Sequence, residues 1–269
     1  MKDQIKTVAI GYIISIILMA SFYYILKHFQ YSWWWVVSLA WIFFSLILAR
    51  LTPVVIIPLF FKYKKLSDDA LRIRIMRLAD KMKVKILDVF EIDFSKKTLK
   101  ANAAFVGAGK TRRVILADTL KDKYSEDEIE VILAHEFAHY KLKHLLKLIL
   151  INSLATILAF YFIFKTSAYV LGLFGLSSLL DVAALPVIIM YLVLFGIIMQ
   201  PFQNYVSRCL ERNADNMALS VTGLKEAFVS MMEKLSAQNL ADPDPHPVIK
   251  FFFFDHPPVS ERINMAKSQ

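Results

Sequence analysis

Two histidines and a glutamate carry the spacing of a metal site. His135 and His139 are four residues apart, and Glu136 directly follows the first histidine. On a helix, residues four apart project from one face, so both imidazoles can bind one ion. Zinc lowers the pKa of a bound water to about 7, and a neighbouring carboxylate can then take its proton. The pattern predicts a zinc site; two unrelated histidines on a helix surface are the simpler alternative.

A catalytic zinc ion has three protein ligands and one open position. Glu211 is the candidate third ligand, and Asp215, one helical turn later, can hydrogen-bond a histidine ligand and fix its tautomer. The alternative for Glu211 is a solvated ion pair with Arg208 or Arg212.

Three further histidines are considered. His256, in a Pro-rich turn, can stabilise the oxyanion of a tetrahedral intermediate, or it can be purely structural. His144 and His246 can in principle replace a ligand. His144 lies nine residues after His135, so a continuous helix would point it in another direction.

The composition predicts a membrane protein with a water-exposed part. Hydrophobic residues make up 57% of the 269 residues, above the roughly 45–50% of soluble domains, and mean hydropathy is +0.49. Charged residues make up 20%, and the net charge is +9. Cys209 is the single cysteine, which excludes an internal disulfide and a cysteine-rich metal site.

Four apolar segments are expected to cross the bilayer, whose core requires about 20 residues of helix. They are residues 8–26, 32–49, 145–164 and 186–199. The first is expected to be an uncleaved anchor rather than a signal peptide, because it is long and another span follows at once. The apolar stretch up to Phe61 predicts a kinked or interfacial continuation of the second span. Residues 165–185 predict a loop or a re-entrant segment.

Basic residues concentrate between the second and third spans. By the positive-inside rule, residues 62–144 and both termini are expected in the cytoplasm, so the active site of this multi-pass protein would also be cytoplasmic. This bias and anionic lipid headgroups explain the net charge. No recognisable module supports nucleic-acid binding instead.

The polar part predicts a small sheet and two helices. An amphipathic helix is expected over residues 68–83. Strands are expected at residues 84–93, 101–106 and 112–117, with the last two joined as a hairpin and one strand forming an exposed edge.

Ser125 and Glu128 predict a capping box at the start of the helix that carries the histidine pair. That helix is expected to be able to continue into the third span.

The fold class that follows is a mainly α membrane protein with four transmembrane helices and a small α/β catalytic domain on one side. Four parts are predicted: two N-terminal spans with their kinked extension (1–61), a cytoplasmic subdomain with the sheet and the zinc helix (62–144), a transmembrane hairpin (145–206), and a C-terminal part that completes the zinc site (207–269).

Several segments beyond the histidine pair match the pattern of a known family. They are Ala101-Asn102-Ala103 with Gly107, Arg113-Val-Ile-Leu with Asp118-Thr119-Leu120, His135-Glu136-Phe-Ala-His139 to His144, Glu211-x-x-Ala214-Asp215, Asp242-Pro-Asp-Pro-His246-Pro, and His256-Pro-Pro-x-x-Glu261-Arg262-Ile263. Over roughly residue 51 to the end, the sequence resembles the type I CAAX prenyl proteases and the related HtpX-like membrane metalloproteases.

The resemblance implies a zincin-like domain with one zinc ion per chain, bound by His135, His139 and Glu211, and with Glu136 as the base. Asp215 would support a ligand, and His256 would assist the transition state. It also implies that Arg262 forms an ion pair that supports the structure or the site. Asn102, Ala103 and Ala104 would belong to an edge strand to which a substrate adds as a further strand.

The function predicted is a membrane zinc metalloendopeptidase similar to CAAX prenyl proteases, which cleaves extended peptides with or without a lipid tail. Two alternatives stay open: an HtpX-like quality-control protease, and a non-catalytic scaffold that keeps zinc for stability. The resemblance implies seven spans in the long CAAX proteases, whereas four are predicted here, as in the shorter HtpX-like members. A short homologue, a homo-oligomer and a truncated chain are the three explanations.

Overall fold

The computed structural model describes residues 2–61, 63–93, 95, 103–106, 112–239 and 242–269. The helices are α1 (Lys2–His28), α2 (Trp33–Leu51), α3 (Ile57–Phe60), α4 (Asp69–Lys81), α5 (Asp118–Lys123), α6 (Glu126–Lys141), α7 (His144–Leu173), α8 (Leu185–Thr222), α9 (Lys225–Asn239), α10 (Pro247–Phe253) and α11 (Val259–Ser268). The strands are β1 (Tyr63–Lys65), β2 (Val89–Ile92), β3 (Ala103–Val106) and β4 (Arg113–Ala117). A π-helical turn, Thr52–Ile56, joins α2 to α3, and a 3-10 turn, Val182–Ala184, precedes α8.

Four helical segments within the described residues are long and apolar enough to cross a membrane. They are Gln4–His28, Trp33–Leu51, His144–Leu173 and Val182–Thr222. Together with the small sheet, they confirm the predicted fold class of a mainly helical membrane protein. The helical turns between Thr52 and Phe60 also agree with the predicted continuation after the second span.

The third span is longer than predicted. The prediction of a loop at residues 165–185 was wrong over its first half, which is helical up to Leu173. The ammonium group of Lys165 lies 5.7 Å from the ring centroid of Tyr161, so the helix accommodates this charge over an aromatic face instead of ending there. Helix α7 ends only at Leu173, where Gly175 adopts φ +69° and the Leu176 N–H donates to the Leu171 carbonyl.

The fourth predicted span, residues 186–199, is only the first part of α8. The helix continues past Pro201, although proline has no N–H to donate, and ends at Thr222. Gly223 follows with φ +70°, a left-handed conformation that glycine adopts without steric cost. This length carries the acidic residues of the candidate metal site well beyond the apolar segment.

The chain forms two compact units, a helical unit (Met1–Ala49 and Leu148–Met199) and a sheet-containing unit (Arg50–Lys147 and Gln200–Gln269). In the helical unit, the ring of Trp33 packs edge-on against Phe160, and the hydroxyls of Thr166 and Tyr191 hydrogen-bond at 2.7 Å. The second contact pairs α7 with α8 as a hairpin. The four-part division drawn from the sequence stays a prediction.

The sheet-containing unit holds a mixed sheet in the order β1-β2-β4-β3. Strand β1 runs antiparallel to β2, β2 runs parallel to β4, and β3 runs antiparallel to β4. Strand β3 therefore lies at one end of the described sheet, which agrees with the predicted antiparallel pair and exposed edge. Residues 107–111, expected to connect the pair, lie outside the described residues.

The strand predicted at residues 84–93 is shorter in the structure. Helix α4 closes with Lys83 at φ +56°, and the Val84 N–H donates to the carbonyl of Ala79. Val84 therefore belongs to the C-terminal cap of the helix rather than to the sheet, which β2 joins only at Val89.

The amphipathic helix predicted before it is confirmed as α4. Its apolar face is buried through Leu71, Ile75 and Leu78, and this face belongs to one core with residues of α6, α8, α9 and α11. Asp68 caps the helix by accepting a hydrogen bond from the Leu71 N–H at 3.0 Å.

Asp88, just before β2, ties α4 to the sheet. Its carboxylate accepts hydrogen bonds from the Arg72 guanidinium at 2.6 Å and from the Val89 N–H at 2.9 Å. The bond to Arg72, with that to Val89, outweighs burial and lowers the pKa of Asp88 to about 2. The ionised carboxylate therefore stabilises the fold above its ordinary pKa, and this stabilisation is lost as pH falls towards 2.

We expect Asp88→Asn to reduce the stability of the purified protein by about 1–2 kcal/mol at pH 7. The loss should be smaller at pH 3, because the carboxyl of the unfolded chain is by then largely protonated and the ionised native form is favoured less. Thermal unfolding in detergent at both pH values measures it, with the exposed Asp122→Asn as the control. An equal loss at both pH values would contradict the assigned role of the charge.

Candidate metal centre

Helix α6 presents the histidine pair from a firmly anchored backbone. Its predicted capping box is confirmed, because the Ser125 N–H donates to the Glu128 carboxylate at 2.7 Å and the Glu128 N–H donates to the Ser125 hydroxyl at 3.3 Å. Phe137, between the histidines, is fully buried. The Nε2 atoms of His135 and His139 consequently face one another at 2.9 Å.

Helix α8 adds the carboxylate of Glu211 to the pair. Glu211 Oε1 lies 3.2 Å from His139 Nε2, and Glu211 Oε2 lies 3.3 Å from His135 Nε2. One ligand atom from each residue can be chosen so that all three lie within 4.8 Å of one another. Glu211 is 7% exposed, and its Oε2 has no hydrogen-bond partner among the described residues.

This donor set fits a metal ion. Tetrahedral zinc, with bonds of about 2.0–2.1 Å, separates its ligand atoms by about 3.3 Å, close to the contacts that Glu211 makes. The two Nε2 atoms face one another, and the buried Glu211 Oε2 has no hydrogen-bond donor within the described part of the chain. Lone pairs that meet in this way repel unless a proton or a cation lies among them. Two imidazoles and one carboxylate leave a fourth position of a tetrahedron for a water or a substrate.

The electrostatics favour positive charge at the same place. Burial lowers the pKa of His135, but its contacts with Asp215 and Glu211 outweigh burial and raise it to about 9. Burial raises the pKa of the half-buried Glu136 carboxyl, against the opposing effect of the two histidines. The group of side chains around His135 therefore favours a bound proton or cation more than the same groups would in bulk water.

Asp215 lies one turn beyond Glu211 and is completely buried. Its Oδ1 is 2.9 Å from His135 Nδ1, although the ring nitrogen is not aligned for an ideal hydrogen bond. Arg262 of α11 donates to both carboxylate oxygens, through Nε at 2.7 Å and Nη2 at 2.5 Å. Arg262 thus compensates the buried charge of Asp215 and fixes the carboxylate beside His135.

The basic neighbours of Glu211 in sequence have other partners. Arg208 donates to the backbone carbonyls of Lys250 and Phe254, and Arg212 lies 3.2 Å from the Glu261 carboxylate. The structure therefore does not place Glu211 in the solvated ion pairs considered as the alternative.

His256 approaches the group from the C-terminal part. Its Nε2 lies 3.6 Å from Glu211 Oε2, and its Nδ1 lies 2.8 Å from Asp255 Oδ1. The side chain is 55% exposed, so it faces the open side of the site. His246 has a different role: it caps α10 by accepting a hydrogen bond from the Val248 N–H at 3.4 Å. Cys209 is half-buried.

The predicted substrate strand lies beside the histidine helix. Ala103 and Ala104 are on β3, and Phe105 of the same strand packs edge-on against Phe137 and Tyr140 of α6, at centroid distances of 5.5 and 5.1 Å. Asn102 lies outside the described residues. In the described sheet, the edge of β3 opposite β4 has no paired strand.

His144 was misplaced by the expectation of a continuous helix. Helix α6 ends at Lys141, Lys143 adopts φ +56°, and α7 begins at His144. This break turns the His144 side chain back towards the site, where its Nδ1 lies 2.9 Å from His139 Nδ1. The histidine itself was the signal in the sequence; the break that redirects it has no glycine or proline to announce it.

Comparisons with known proteins agree with this fold. The sequence profile of peptidase family M48 matches residues 65–269. The profile described as the CAAX prenyl protease N-terminal region, with five membrane helices, matches residues 1–62. The chain belongs to peptidase family M48, and it is an integral multi-pass membrane protein.

Relatives match the chain along its length. An uncharacterized metalloprotease, YhfN, of Bacillus subtilis is 32% identical over all of the chain and 64% of its own length. CAAX prenyl protease 1 of Saccharomyces cerevisiae is 28% identical over 97% of the chain and 61% of its own length. The crystal structure of S. mikatae Ste24p superposes with a TM-score of 0.86 at 26% identity, over 98% of this chain and 65% of that one. The chain thus spans a little under two thirds of these relatives.

We expect Arg262→Met to destabilise the metal-free protein by about 3–5 kcal/mol, because it removes the two-point partner of the buried Asp215 carboxylate and leaves it only the imperfectly aligned contact with His135. For a chain of this size the thermal midpoint should fall by roughly 10 °C. Arg262→Lys should lose less, since it keeps the charge but not the two-point contact. The exposed Arg77→Met serves as the control, and a midpoint equal to that of wild type in Arg262→Met would contradict the assigned ion pair.

Proposed function

We propose that this protein is a zinc-dependent membrane metalloendopeptidase that cleaves extended peptides at the cytoplasmic side of the bilayer. The observation that carries the proposal is the convergence of His135, His139 and Glu211 around one point, with Glu136 directly after His135 on α6. Membership of a peptidase family supports the same activity.

Zinc is the ion that the donor set favours. Two imidazoles and a carboxylate match catalytic zinc sites with two histidines and one glutamate, and one ion per chain fills the site. A zinc ion supplies Lewis-acid chemistry and lowers the pKa of water. His135, His139 and Glu211 would hold it, while Asp215 and Arg262 keep the His135 ring in place.

Glu136 is the proton carrier of the proposed reaction. Its carboxylate takes a proton from the attacking water and delivers that proton to the amine nitrogen of the leaving peptide. A pKa raised by burial suits this exchange, because the group must both accept and release a proton near neutral pH. His256, on the exposed side of Glu211, is placed to donate a hydrogen bond to the oxyanion of the tetrahedral intermediate.

The free edge of β3 is the proposed substrate-binding surface. An extended peptide can add to Ala103 and Ala104 through main-chain hydrogen bonds, as strands do at open sheet edges. Because Phe105 of this strand packs on α6, a peptide at the edge would run close to the histidine helix.

The cytoplasmic orientation rests on charge. The segment between the second and third spans carries many lysines and arginines, which are retained on the cytoplasmic side during insertion. With four spans, both termini would lie on that side too.

We expect Glu136→Ala to keep its metal and to lose peptide hydrolysis by a factor of about 10² to 10⁴, because it removes the proton carrier but no metal ligand. Elemental analysis and the hydrolysis rate of a generic peptide measure the two quantities. Wild-type protein treated with a chelator serves as the control and should be inactive. Full activity of the variant would contradict the mechanism.

The names of the relatives point to a lipidated substrate. One is called CAAX prenyl protease 1 and several others CAAX prenyl protease 1 homolog, and we extend the specificity in these names to this chain. We expect a prenylated peptide to be cleaved faster than the unprenylated peptide of identical sequence, both assayed in detergent. Equal rates would instead favour a general quality-control protease, and no cleavage of either would favour a non-catalytic role.

A further inference from the structure

We propose that His144 positions His139 as a metal ligand, by accepting the N–H of its ring at Nδ1 and so leaving the lone pair of Nε2 for the ion. The inference rests on the proposed function, in that it takes His139 to be a ligand. His144 is neither one of the three proposed ligands nor the proposed proton carrier, Glu136.

The contact between the two histidines is close and is enclosed on one side. Their Nδ1 atoms lie 2.9 Å apart, and the rings are nearly perpendicular, with centroids 4.9 Å apart. His144 is 1% exposed. The His144 ring thus encloses the contact from one side, whereas the His139 side chain is 27% exposed. The hydrogen-bond partner of His139 Nδ1 is the His144 ring.

Tautomers give the contact its direction. A neutral imidazole has one N–H and one lone pair, and His139 Nε2 is the atom that faces His135 Nε2 and Glu211 Oε1. A metal ion at that point needs the lone pair at Nε2, so the ring proton of His139 must be at Nδ1. The Nδ1 of His144 is then the acceptor, and the proton of His144 must lie on its Nε2.

The other nitrogen of His144 gains nothing from its surroundings. Its Nε2 is buried and has no hydrogen-bond partner among the described residues. A buried polar atom without a partner is disfavoured, so a histidine here is not explained by stability alone. The nitrogen of His144 that does have a partner is Nδ1, which faces the candidate ligand His139.

The backbone is shaped to make this contact. The Leu142 and Lys143 N–H groups close α6 on the carbonyls of Ala138 and Tyr140, and Lys143 adopts φ +56°, which is unusual for a residue with a side chain. Helix α7 then begins at His144 itself. A continuous helix would have separated the two rings.

Each histidine ligand thus has its own contact at Nδ1. His135 has the Asp215 carboxylate at 2.9 Å, and His139 has the neutral ring of His144 at 2.9 Å. A carboxylate at both positions would add a second negative charge beside Glu211, whereas an imidazole orients its partner without one. Such outer contacts orient metal-bound histidines and change metal affinity by about 10- to 100-fold.

The test is the metal affinity of the whole 269-residue chain, metal-free and in detergent. His144→Leu removes the acceptor at similar volume, and His144→Asn restores it, because the asparagine Oδ1 reaches the position of the histidine Nδ1. Zn²⁺ affinity is measured by competition with a chelator, and the ligand geometry by the absorption spectrum of bound Co²⁺. His246→Leu is the matched control, a histidine lost from a helix cap away from the ligands.

We expect His144→Leu to bind Zn²⁺ about 10- to 100-fold more weakly and to alter the Co²⁺ spectrum. His144→Asn should bind within a few-fold of wild type, and His246→Leu should be unchanged. His144→Met also removes the acceptor and is measured alongside, so that the test does not depend on whether the leucine variant folds. Its loss of Zn²⁺ affinity should equal that of His144→Leu.

Two results would overturn the inference alone. One is wild-type affinity in His144→Leu or His144→Met, and the other is an equal loss in His144→Asn and His144→Leu. If the wild-type protein itself binds neither metal, the proposed function fails and this inference fails with it. The measurements therefore separate the two.

Discussion

Two carboxylates buried one turn apart on α8 impose the main physical constraint on this protein. Asp215 is fully buried and Glu211 nearly so, and neither charge can remain in the interior without a partner. Arg262 satisfies Asp215 from both oxygens, whereas Glu211 faces two imidazoles and keeps one oxygen unpartnered. In the proposed metal site, a cation among Glu211, His135 and His139 would complete the balance. Metal binding would then be coupled to the integrity of this part of the fold.

The surrounding elements hold that charge cluster in place from a distance. Glu128 caps α6 and also accepts hydrogen bonds from Lys234 and Ser230 of α9, at 2.6 and 2.7 Å. Helix α11 supplies Arg262 to the far side of Asp215. These contacts secure the backbone of the helices that carry the candidate ligands, which favours a site that is already formed before an ion binds. Preorganisation of this kind is typical of sites built on helices rather than on loops.

Much of the architecture could be predicted because it depends on local patterns. The four spans follow from apolar length, α4 from helical periodicity, and the start of α6 from a capping box of two residues. The histidine pair was predicted from its spacing, whereas for Glu211 spacing left a solvated ion pair open and the family resemblance implied its role as a ligand. Their side chains meet because two helices deliver them, and helices are the elements whose geometry a sequence specifies best.

The wrong predictions concern residues whose conformation depends on contacts that the sequence does not reveal. Lys165 did not end α7, because aromatic rings of the same helix receive its charge. Val84 was assigned to a strand, but it closes the hydrogen bonds of the preceding helix. His144 was assigned to another face because nothing in Leu142-Lys143 marks a break. In each case tertiary or capping interactions outweighed local propensity.

The break between α6 and α7 also constrains how this sequence can vary. Connections between helices usually tolerate insertions, because nothing depends on their length. Here two residues separate Lys141 from His144, and the left-handed turn at Lys143 lies between the two helices. One residue gained or lost would move the His144 ring away from its 2.9 Å contact with His139 Nδ1. A linker that resembles an ordinary spacer is therefore constrained in length by the contact that it makes possible.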